Sequence, residues 1–325
     1  MKKTKFIYEN DSLILKLFEE TFHKSVLDNL EEYYFPKFSH HKKWNCYSDY
    51  SFDSKKANDV ITFTFLPYLA DPLVISEIIS KLAPSEIKKT RSVNPKFLEF
   101  IKNSPFVTFS IIIEDHKNYY FENRDKLKEA MLLSLNSLLN ESFPKWTKSR
   151  PHLKDYHRRL TKKTKAVIRL IERDKKIRII KNLFLITSFG SYIATQFANK
   201  TKAEIFGWFS DRDEINDVEK NYSLDLFNIQ FSEHLINENC KFVASPASSS
   251  DNEWYGEFIK IPDLITGAIA DYDFMNDKVS HDKFIPIIRD LISDNKRNIF
   301  VFRLFLDNNG QINLGRLTTH KKVND

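Results

Sequence analysis

Four acidic residues in this sequence stand at positions from which carboxylates commonly do chemistry. Each lies where an apolar segment ends or a helix begins: Asp49, Glu86, Asp211 and Asp263. Carboxylates at strand ends can converge on one edge of a sheet, and hard cations such as Mg²⁺ or Mn²⁺ prefer oxygen ligands of this kind. A pair of such cations can activate a water and stabilise a leaving oxygen in phosphodiester cleavage. The four acids therefore predict a metal-dependent nuclease.

Each acid also has a simpler interpretation. An Asp at the end of a strand is commonly a turn or cap residue, and Glu86 taken alone is typical of a solvated surface acid. A helix that begins near Pro262 would make Asp263 an ordinary N-terminal acid, because proline and acidic residues both favour the first helical turn. Two further acids are alternative ligands: Asp53 in place of Asp49, and Asp213 in place of Asp211.

A strongly basic segment covers residues 145–181, and apolar residues recur between its cations at helical spacing. This pattern predicts a long amphipathic helix or a pair of helices. A Lys- and Arg-rich face is often simply solvated, but a surplus of this size also suits the phosphate backbone of nucleic acid, with a steep salt dependence of binding. The residues predicted to contact phosphate are Arg158, Arg159, Lys162, Lys163 and Lys165.

Composition narrows the class of protein. The chain has 325 residues, a formal net charge of +6 and a pI of about 8.9, which favours an anionic partner such as nucleic acid. It has only 6 glycines and neither a GxGxxG nor a GxxxxGK[ST] motif, which argues against dinucleotide-binding and P-loop enzymes.

Cys46 and Cys240 have no zinc-site spacing and are expected to be reduced thiols. The charged N-terminal segment is not typical of a signal peptide, and the longest apolar stretch, 182–198, is too short and polar for a bilayer, so we expect a soluble cytoplasmic protein without a membrane partner.

Strand and helix patterns alternate along the chain, which predicts an α/β fold. Strands are predicted at 44–48, 60–66, 106–113, 203–210 and 242–244. Helices are predicted at 11–34, 72–82, 95–102, 125–140, 217–237, from about 262, and at 282–293. A terminal hairpin is predicted from strands at 299–306 and 312–317 around an Asn308-Asn309-Gly310 turn.

The four acids fall within short motifs in a fixed order. These are Asp49-Tyr50-Ser51-Phe52, Glu86-Ile87-Lys88, Asp211 at the end of a strand, and the segment 259–267 that contains Asp263 and Gly267. In this order the chain resembles the domain-of-unknown-function 3800 family, whose motifs are Asp-Glu-Ser-Gly, Glu-x-Lys, a strand ending in Asp, and Ile-Gln-x-Ala-Asp-Leu-x-Ala-Gly. The resemblance covers about residues 44–272.

The resemblance implies an RNase H-like mixed sheet flanked by helices, with a two-metal carboxylate site for Mg²⁺ or Mn²⁺. It also implies a role in anti-phage defence or mobile-element biology. The expected organisation is an N-terminal helical extension (1–40), an RNase H-like core (41–280) with a long basic helical insert (about 125–200), and a C-terminal helix and hairpin (281–325).

Three departures from the family motifs favour an alternative to an active nuclease. Tyr50 replaces a Glu, Phe52 replaces a Gly, and Lys260 replaces a Gln one helical turn before Asp263, where its ammonium could stand in for a metal or neutralise a carboxylate. The alternative is a catalytically degenerate subunit that binds nucleic acid or acts as a scaffold in a defence complex. A third hypothesis is an effector that acts on another phosphate ester, such as a nucleotide. A protein partner and a homo-oligomer both remain open.

Overall fold

The structure is a computed structural model that describes residues 9–114, 123–211, 213–245 and 253–321. It confirms the α/β class, with a seven-stranded mixed sheet flanked by helices. The chain divides into two compact units: residues 1–17, 115–195 and 212–234 form the first, and the remainder forms the second. The predicted three-part division stays a prediction, and its two ends, residues 1–8 and 322–325, lie outside the described residues.

The sheet belongs entirely to the second unit. Its strands are β1 (Lys43–Ser51), β2 (Asp59–Pro67), β3 (Val107–Ile113), β4 (Ile205–Ser210), β5 (Lys241–Ala244), β6 (Ile299–Leu306) and β7 (Ile312–Leu317). They are ordered β5–β4–β1–β2–β3–β6–β7. The pairs β1–β2, β2–β3 and β6–β7 are antiparallel, whereas β1–β4, β4–β5 and β3–β6 are parallel. β2 and β3 are buried along their whole length, as their β-branched and aromatic residues predict.

Ten α-helices are present in the described residues. They are α1 (Glu9–Phe22), α2 (Phe35–Phe38), α3 (Pro72–Leu82), α4 (Pro95–Asn103), α5 (Arg124–Ser137), α6 (Phe143–Ser149), α7 (Lys154–Glu172), α8 (Ile177–Thr201), α9 (Tyr222–His234) and α10 (Gly256–Asp271). Short π-helical segments lie at His23–Leu27, Leu30–Tyr34, Leu138–Ser142 and Ile287–Ile292, and 3₁₀ turns lie at Ile87–Lys89, Pro151–Leu153 and Asp282–Phe284. The predicted helix at 11–34 is therefore interrupted after Phe22, and the one at 282–293 is a 3₁₀ turn followed by a π-helical segment.

Both faces of the sheet are covered by aromatic side chains of the second unit. On one face Tyr47 of β1 stacks on Phe258 of α10, with ring centroids 4.8 Å apart. On the other face Phe65 of β2 stacks on Phe197 at the end of α8, also at 4.8 Å. This packing fixes α10 against the sheet, and α10 is the helix that carries Asp263.

The predicted start of α10 near Pro262 is wrong, because the helix begins at Gly256 and Pro262 lies inside it. An internal proline costs a helix about 3 kcal/mol. The preceding turn offsets this cost, since Phe258, Ile259 and Ile261 are all buried, and each buried side chain of this size contributes about 1.5–3 kcal/mol. Asp263 is therefore a mid-helix residue on a buried face, which removes its interpretation as an ordinary N-terminal acid.

The structure also tests the predicted terminal hairpin and the predicted end of β1. The terminal hairpin is confirmed, with a turn in which Gly310 has a φ of 75°. β1 continues to Ser51, beyond the predicted end at Ser48, so Asp49 lies within the strand rather than after it. The antiparallel pairing of Asp49 with Thr62 on β2 carries the strand past the expected end.

Among the described residues, α8 is the one helix long and apolar enough to cross a membrane. Of its most apolar stretch, 78% is buried inside the protein, as in the core helix of a soluble protein. The cytoplasmic location stays a prediction.

Candidate active site

Two of the four acids lie side by side at the carboxyl ends of parallel strands. Tyr47 of β1 and Phe209 of β4 face each other with ring centroids 5.9 Å apart. Asp49 and Asp211 each follow two residues later, and residues two apart in an extended chain share a face of the sheet. The N–H of Asp211 donates to the carbonyl oxygen of Ser48 at 3.3 Å, which extends the β1–β4 register to this point.

α10 brings Asp263 to the same end of β1. The Phe258–Tyr47 stack anchors its first turns, and the hydroxyl of Thr266 lies 3.4 Å from the carbonyl oxygen of Asp49. Asp49 is 7% exposed and Asp263 is 8% exposed. Two carboxylates are therefore buried together where the sheet and α10 meet, and the exposed Asp211 lies at their solvent side.

The fourth acid belongs to a segment held against α10 by the turn Ile87–Lys89. The N–H of Ile87 donates to Oδ2 of Asp263 at 3.4 Å, and the Nζ of Lys283 donates to the carbonyl oxygen of Ile87 at 2.7 Å. A Cβ at Gly267 would lie 3.3 Å from the Ile87 side chain, so the absence of a side chain there allows the close approach. Glu86 precedes this turn.

Burial and mutual repulsion dominate the electrostatics of these acids. Burial, followed by the charges of Asp263 and Asp211, raises the pKa of Asp49 well above its ordinary range. Burial also raises the pKa of Asp263 from 3.8 to about 6, and the charges of Asp211 and Glu86 act in the same direction. The carboxylates therefore share one electrostatic environment, and a group of this kind needs a cation to remain ionised.

Lys88 supplies positive charge to this environment, a role the sequence analysis did not assign. Although burial lowers the pKa of its ammonium, the charges of Asp263, Asp49 and Asp211 outweigh that effect and raise it. The same ammonium opposes the raised pKa of both Asp49 and Asp263. The available signal was the Glu-x-Lys spacing, which places a cation two residues after Glu86.

The interpretation of Lys260 as the cation of the site is corrected by its contacts. Its Nζ donates to the carbonyl oxygen of Ala83 at 2.8 Å and to Glu257 at 2.7 Å. Lys260 is not among the main charges that shift the pKa of Asp49 or Asp263. One helical turn of separation along α10 was compatible with contact to Asp263, but the long side chain extends instead to the end of α3.

The remaining candidates lie at the edge of the cluster or in turns. Glu86 is exposed, and its carboxylate lies 3.2 Å from the Nζ of Lys89. The alternative ligand Asp53 accepts a hydrogen bond from the N–H of Lys55 at 3.0 Å. The alternative Asp213, in the first unit, accepts one from the N–H of Ile215 at 2.9 Å. Both alternatives have the local turn geometry expected of Asx residues.

The altered first motif leaves the face of Asp49 unchanged. Because side chains alternate along β1, Tyr50 points to the opposite face, where its hydroxyl contacts Ser210 and lies 3.3 Å from the hydroxyl of Ser48. Tyr50, which stands where the motif of the resembled family has Glu, therefore bonds away from the acids.

Asp271 is a second buried acid on α10, and unlike Asp263 it forms an ordinary buried ion pair. Asp271 is 7% exposed, but Lys56 lies 2.7 Å from its Oδ1 and Ser280 donates to both of its oxygens. Burial would raise the pKa of Asp271, and these hydrogen bonds and the Lys56 charge together hold it below its ordinary value. Asp263, eight residues earlier on the same helix, has a raised pKa because its surroundings supply less compensation.

The donor atoms of the site fit a hard divalent cation, since they are carboxylate oxygens in a buried and negatively charged environment. Within the described ranges, however, no three His, Cys, Asp or Glu side chains are grouped closely enough to hold a metal ion. Metal binding would therefore require the exposed side chains of Asp211 and Glu86 to turn toward Asp49 and Asp263.

The predicted nucleic-acid surface lies on α7, in the first unit. Its apolar stripe, which includes Leu160, Val167 and Ile171, is buried, and its cations face solvent. Lys163 is the exception, because its Nζ lies 2.5 Å from Asp225 and its side chain is only 26% exposed. The other predicted phosphate contacts are exposed, and they are Arg158, Arg159, Lys162 and Lys165.

A large cavity of the second unit lies elsewhere. It has a volume of about 1100 Å³ and is lined by residues of the segment after α10 and of β6 and β7, including Tyr272, Met275 and Arg303. None of Asp49, Glu86, Asp211 and Asp263 lines it. The cavity and the four acids are therefore separate features of the second unit.

No family model, curated protein or solved structure matches this chain.

Proposed function

We propose that this chain is a divalent-metal-dependent phosphodiester hydrolase, a nuclease that acts on DNA or RNA, built on an RNase H-like sheet. The observation that carries the proposal is the burial of Asp49 and Asp263 side by side, with Asp211 at the solvent side of the pair. Burying two carboxylates together costs stability. A shared metal ion provides a physical reason to retain them.

The sheet supports the proposed fold. Five of its strands follow the order β3–β2–β1–β4–β5, and β2 is the one that runs antiparallel to the others. This order and these directions support an RNase H-like sheet. The positions of Asp49 on the first strand, Asp211 after the fourth and Asp263 on a late helix support such a site.

The acids and Lys88 have different roles in the proposed reaction. Asp49, Asp211, Asp263 and Glu86 would hold Mg²⁺ or Mn²⁺, which would act as a Lewis acid on a phosphate oxygen and on a water. Burial of Asp49 and Asp263 between the sheet and α10 restricts water around their oxygens. The Nζ of Lys88 keeps its proton, since its pKa is raised, and its positive charge suits a phosphate oxygen of the substrate.

The exposed cations of α7 support nucleic acid as the substrate class. Arg158, Lys162 and Lys165 recur at intervals of three and four residues, so they share one side of the helix. A row of cations of this kind matches the charge of a phosphate backbone. A role in anti-phage defence or mobile-element biology rests on the family resemblance alone.

A cleavage assay with matched variants tests the proposal. Labelled single- and double-stranded DNA and RNA are incubated with Mg²⁺, Mn²⁺ or EDTA and with the wild-type, Asp211→Ala, Asp263→Ala and Asp53→Asn proteins. We expect metal-dependent cleavage by the wild type and by Asp53→Asn, and its loss in both alanine variants with unchanged circular dichroism. Absence of cleavage and of metal binding in the wild type would refute the catalytic proposal.

Lys88 favours one second candidate, a catalytically degenerate protein of the same fold that binds nucleic acid. Its ammonium already compensates part of the carboxylate charge. Nucleic-acid binding that is insensitive to EDTA and occurs without cleavage would support this candidate over the nuclease.

A further inference from the structure

α3 and the residues just before it expose an unusual amount of apolar surface. Leu73 is 64% exposed, Val74 is 54% exposed and Ile78 is 39% exposed. Tyr68 and Leu69, which precede the helix, are also exposed. Single exposed apolar residues are ordinary on a protein surface, but a cluster of them marks an interaction site.

The sequence of α3 gives it two apolar stripes instead of one. Ile79 is buried, and Ile75 and Leu82 pack partly buried against the same core. This stripe is sufficient to hold the helix on the protein. Val74 and Ile78 form a second stripe, which the described part of the chain leaves exposed.

The second stripe is flanked by opposite charges at equal distances. Asp71, Val74, Ile78 and Lys81 are spaced by three, four and three residues, so all four lie on one side of the helix. Asp71 and Lys81 are both exposed, and they stand the same number of residues before and after Ser76. An acid at one end and a base at the other make this side complementary to itself when a second copy runs in the opposite direction.

We propose that this side of α3 is a contact surface for a second copy of the chain, in an antiparallel pair with twofold symmetry. Val74 of each copy then meets Ile78 of the other, and Asp71 of each meets Lys81 of the other. A contact in which one patch meets the same patch is the usual arrangement of homodimers. Within one copy, the Nζ of Lys81 lies 2.6 Å from the carboxylate of Glu77. Because the Lys81 side chain is 73% exposed, it can bond either this acid or Asp71 of the second copy.

The size of the surface indicates a dimer of modest affinity. An 11-residue helix is roughly 16 Å long, which is short for the roughly 800 Å² that each partner buries in a stable complex. We therefore expect dissociation in the micromolar range rather than an obligate dimer. The proposal does not depend on the nuclease activity.

Sedimentation of the full chain over a range of concentrations tests the surface. We expect a reversible monomer–dimer equilibrium for the wild type, and a dissociation constant at least about tenfold weaker for Val74→Glu combined with Ile78→Glu. Leu133→Glu is the matched control, because Leu133 is also a 64% exposed helical residue and lies outside α3. It should leave the equilibrium unchanged. A wild type that stays monomeric at about 100 µM, or a dimer that survives the double substitution, would overturn the proposal.

Disulfide cross-linking tests the antiparallel direction and does not rely on a destabilising change. In a Cys240→Ser background, Val74→Cys and Ile78→Cys chains are oxidised separately and as a mixture. Cys46 is buried and does not interfere. The mixture should give several-fold more cross-linked dimer than either variant alone. A yield from either variant alone that equals or exceeds that of the mixture would overturn the antiparallel arrangement.

Discussion

Asp263→Asn should stabilise the metal-free protein at neutral pH, although it removes a residue of the proposed active site. Asp263 is 8% exposed, and burial together with the charges of Asp211 and Glu86 raises its pKa from 3.8 to about 6. Asparagine has almost the same shape and no charge, and it keeps an oxygen to accept the hydrogen bond from Ile87. The substitution therefore removes the electrostatic cost and little of the packing.

The pH dependence follows from the direction of the shift. Between the ordinary pKa and the raised one, the folded protein binds more protons at Asp263 than the unfolded chain does, so the free energy of unfolding falls as pH rises from about 4 to about 6. The difference of roughly two pKa units, at 1.36 kcal/mol each, corresponds to about 3 kcal/mol. Loss of the Asp263 charge also lowers the pKa of Asp49, which acts in the same direction.

Urea denaturation in EDTA, followed by circular dichroism between pH 4 and pH 8, measures this effect. The stability of Asp263→Asn relative to the wild type should increase by about 3 kcal/mol across the range. Asp53→Asn is the control, since Asp53 lies in an exposed turn, and its profile should run parallel to that of the wild type. Parallel profiles for Asp263→Asn and the wild type would refute the burial of an incompletely compensated carboxylate at this position.

Four further variants test nucleic-acid binding, fold stability and metal binding separately. Lys162→Ala should reduce the slope of log affinity for nucleic acid against log salt concentration by about 1 in filter-binding titrations. Lys163→Ala should instead lower the free energy of unfolding by about 1–3 kcal/mol, because it leaves Asp225 without its ion pair. Lys88→Met should lower the free energy of unfolding of the metal-free protein at pH 8 by up to about 1 kcal/mol, since water screens the exposed Lys88 ammonium. Mg²⁺ should then raise the melting temperature of this variant more than that of the wild type. Lys260→Gln should leave metal affinity unchanged in calorimetric titrations, because Lys260 bonds Ala83 and Glu257 instead of the acids.

The parts of the structure that sequence patterns predicted are those controlled by local signals. The Asn-Asn-Gly turn sets the terminal hairpin, because Gly310 adopts a positive φ that favours glycine. Asp71 before Pro72 starts α3, and its side chain accepts the hydrogen bond of the Leu73 N–H. These signals act over a few residues, so the chain reveals them without its tertiary contacts.

The errors arose where tertiary packing outweighs local preference. The preference of Pro262 for a first helical turn is local, whereas the start of α10 depends on the burial of Phe258 and Ile261 against the sheet. The partner of Lys260 depends on where the end of α3 lies, which no spacing along α10 reveals. The convergence of Asp49 with Asp263 follows from strand order and helix packing, and their separation of more than two hundred residues in sequence hides it.

The most direct test of the central claim is the anomalous diffraction of crystals soaked in Mn²⁺ at pH 8, where Asp263 is ionised. The proposed function predicts a manganese peak bound by carboxylate oxygens of Asp49, Asp211 and Asp263. An absence of any peak at these residues under saturating Mn²⁺, or a peak bound only elsewhere, would contradict it.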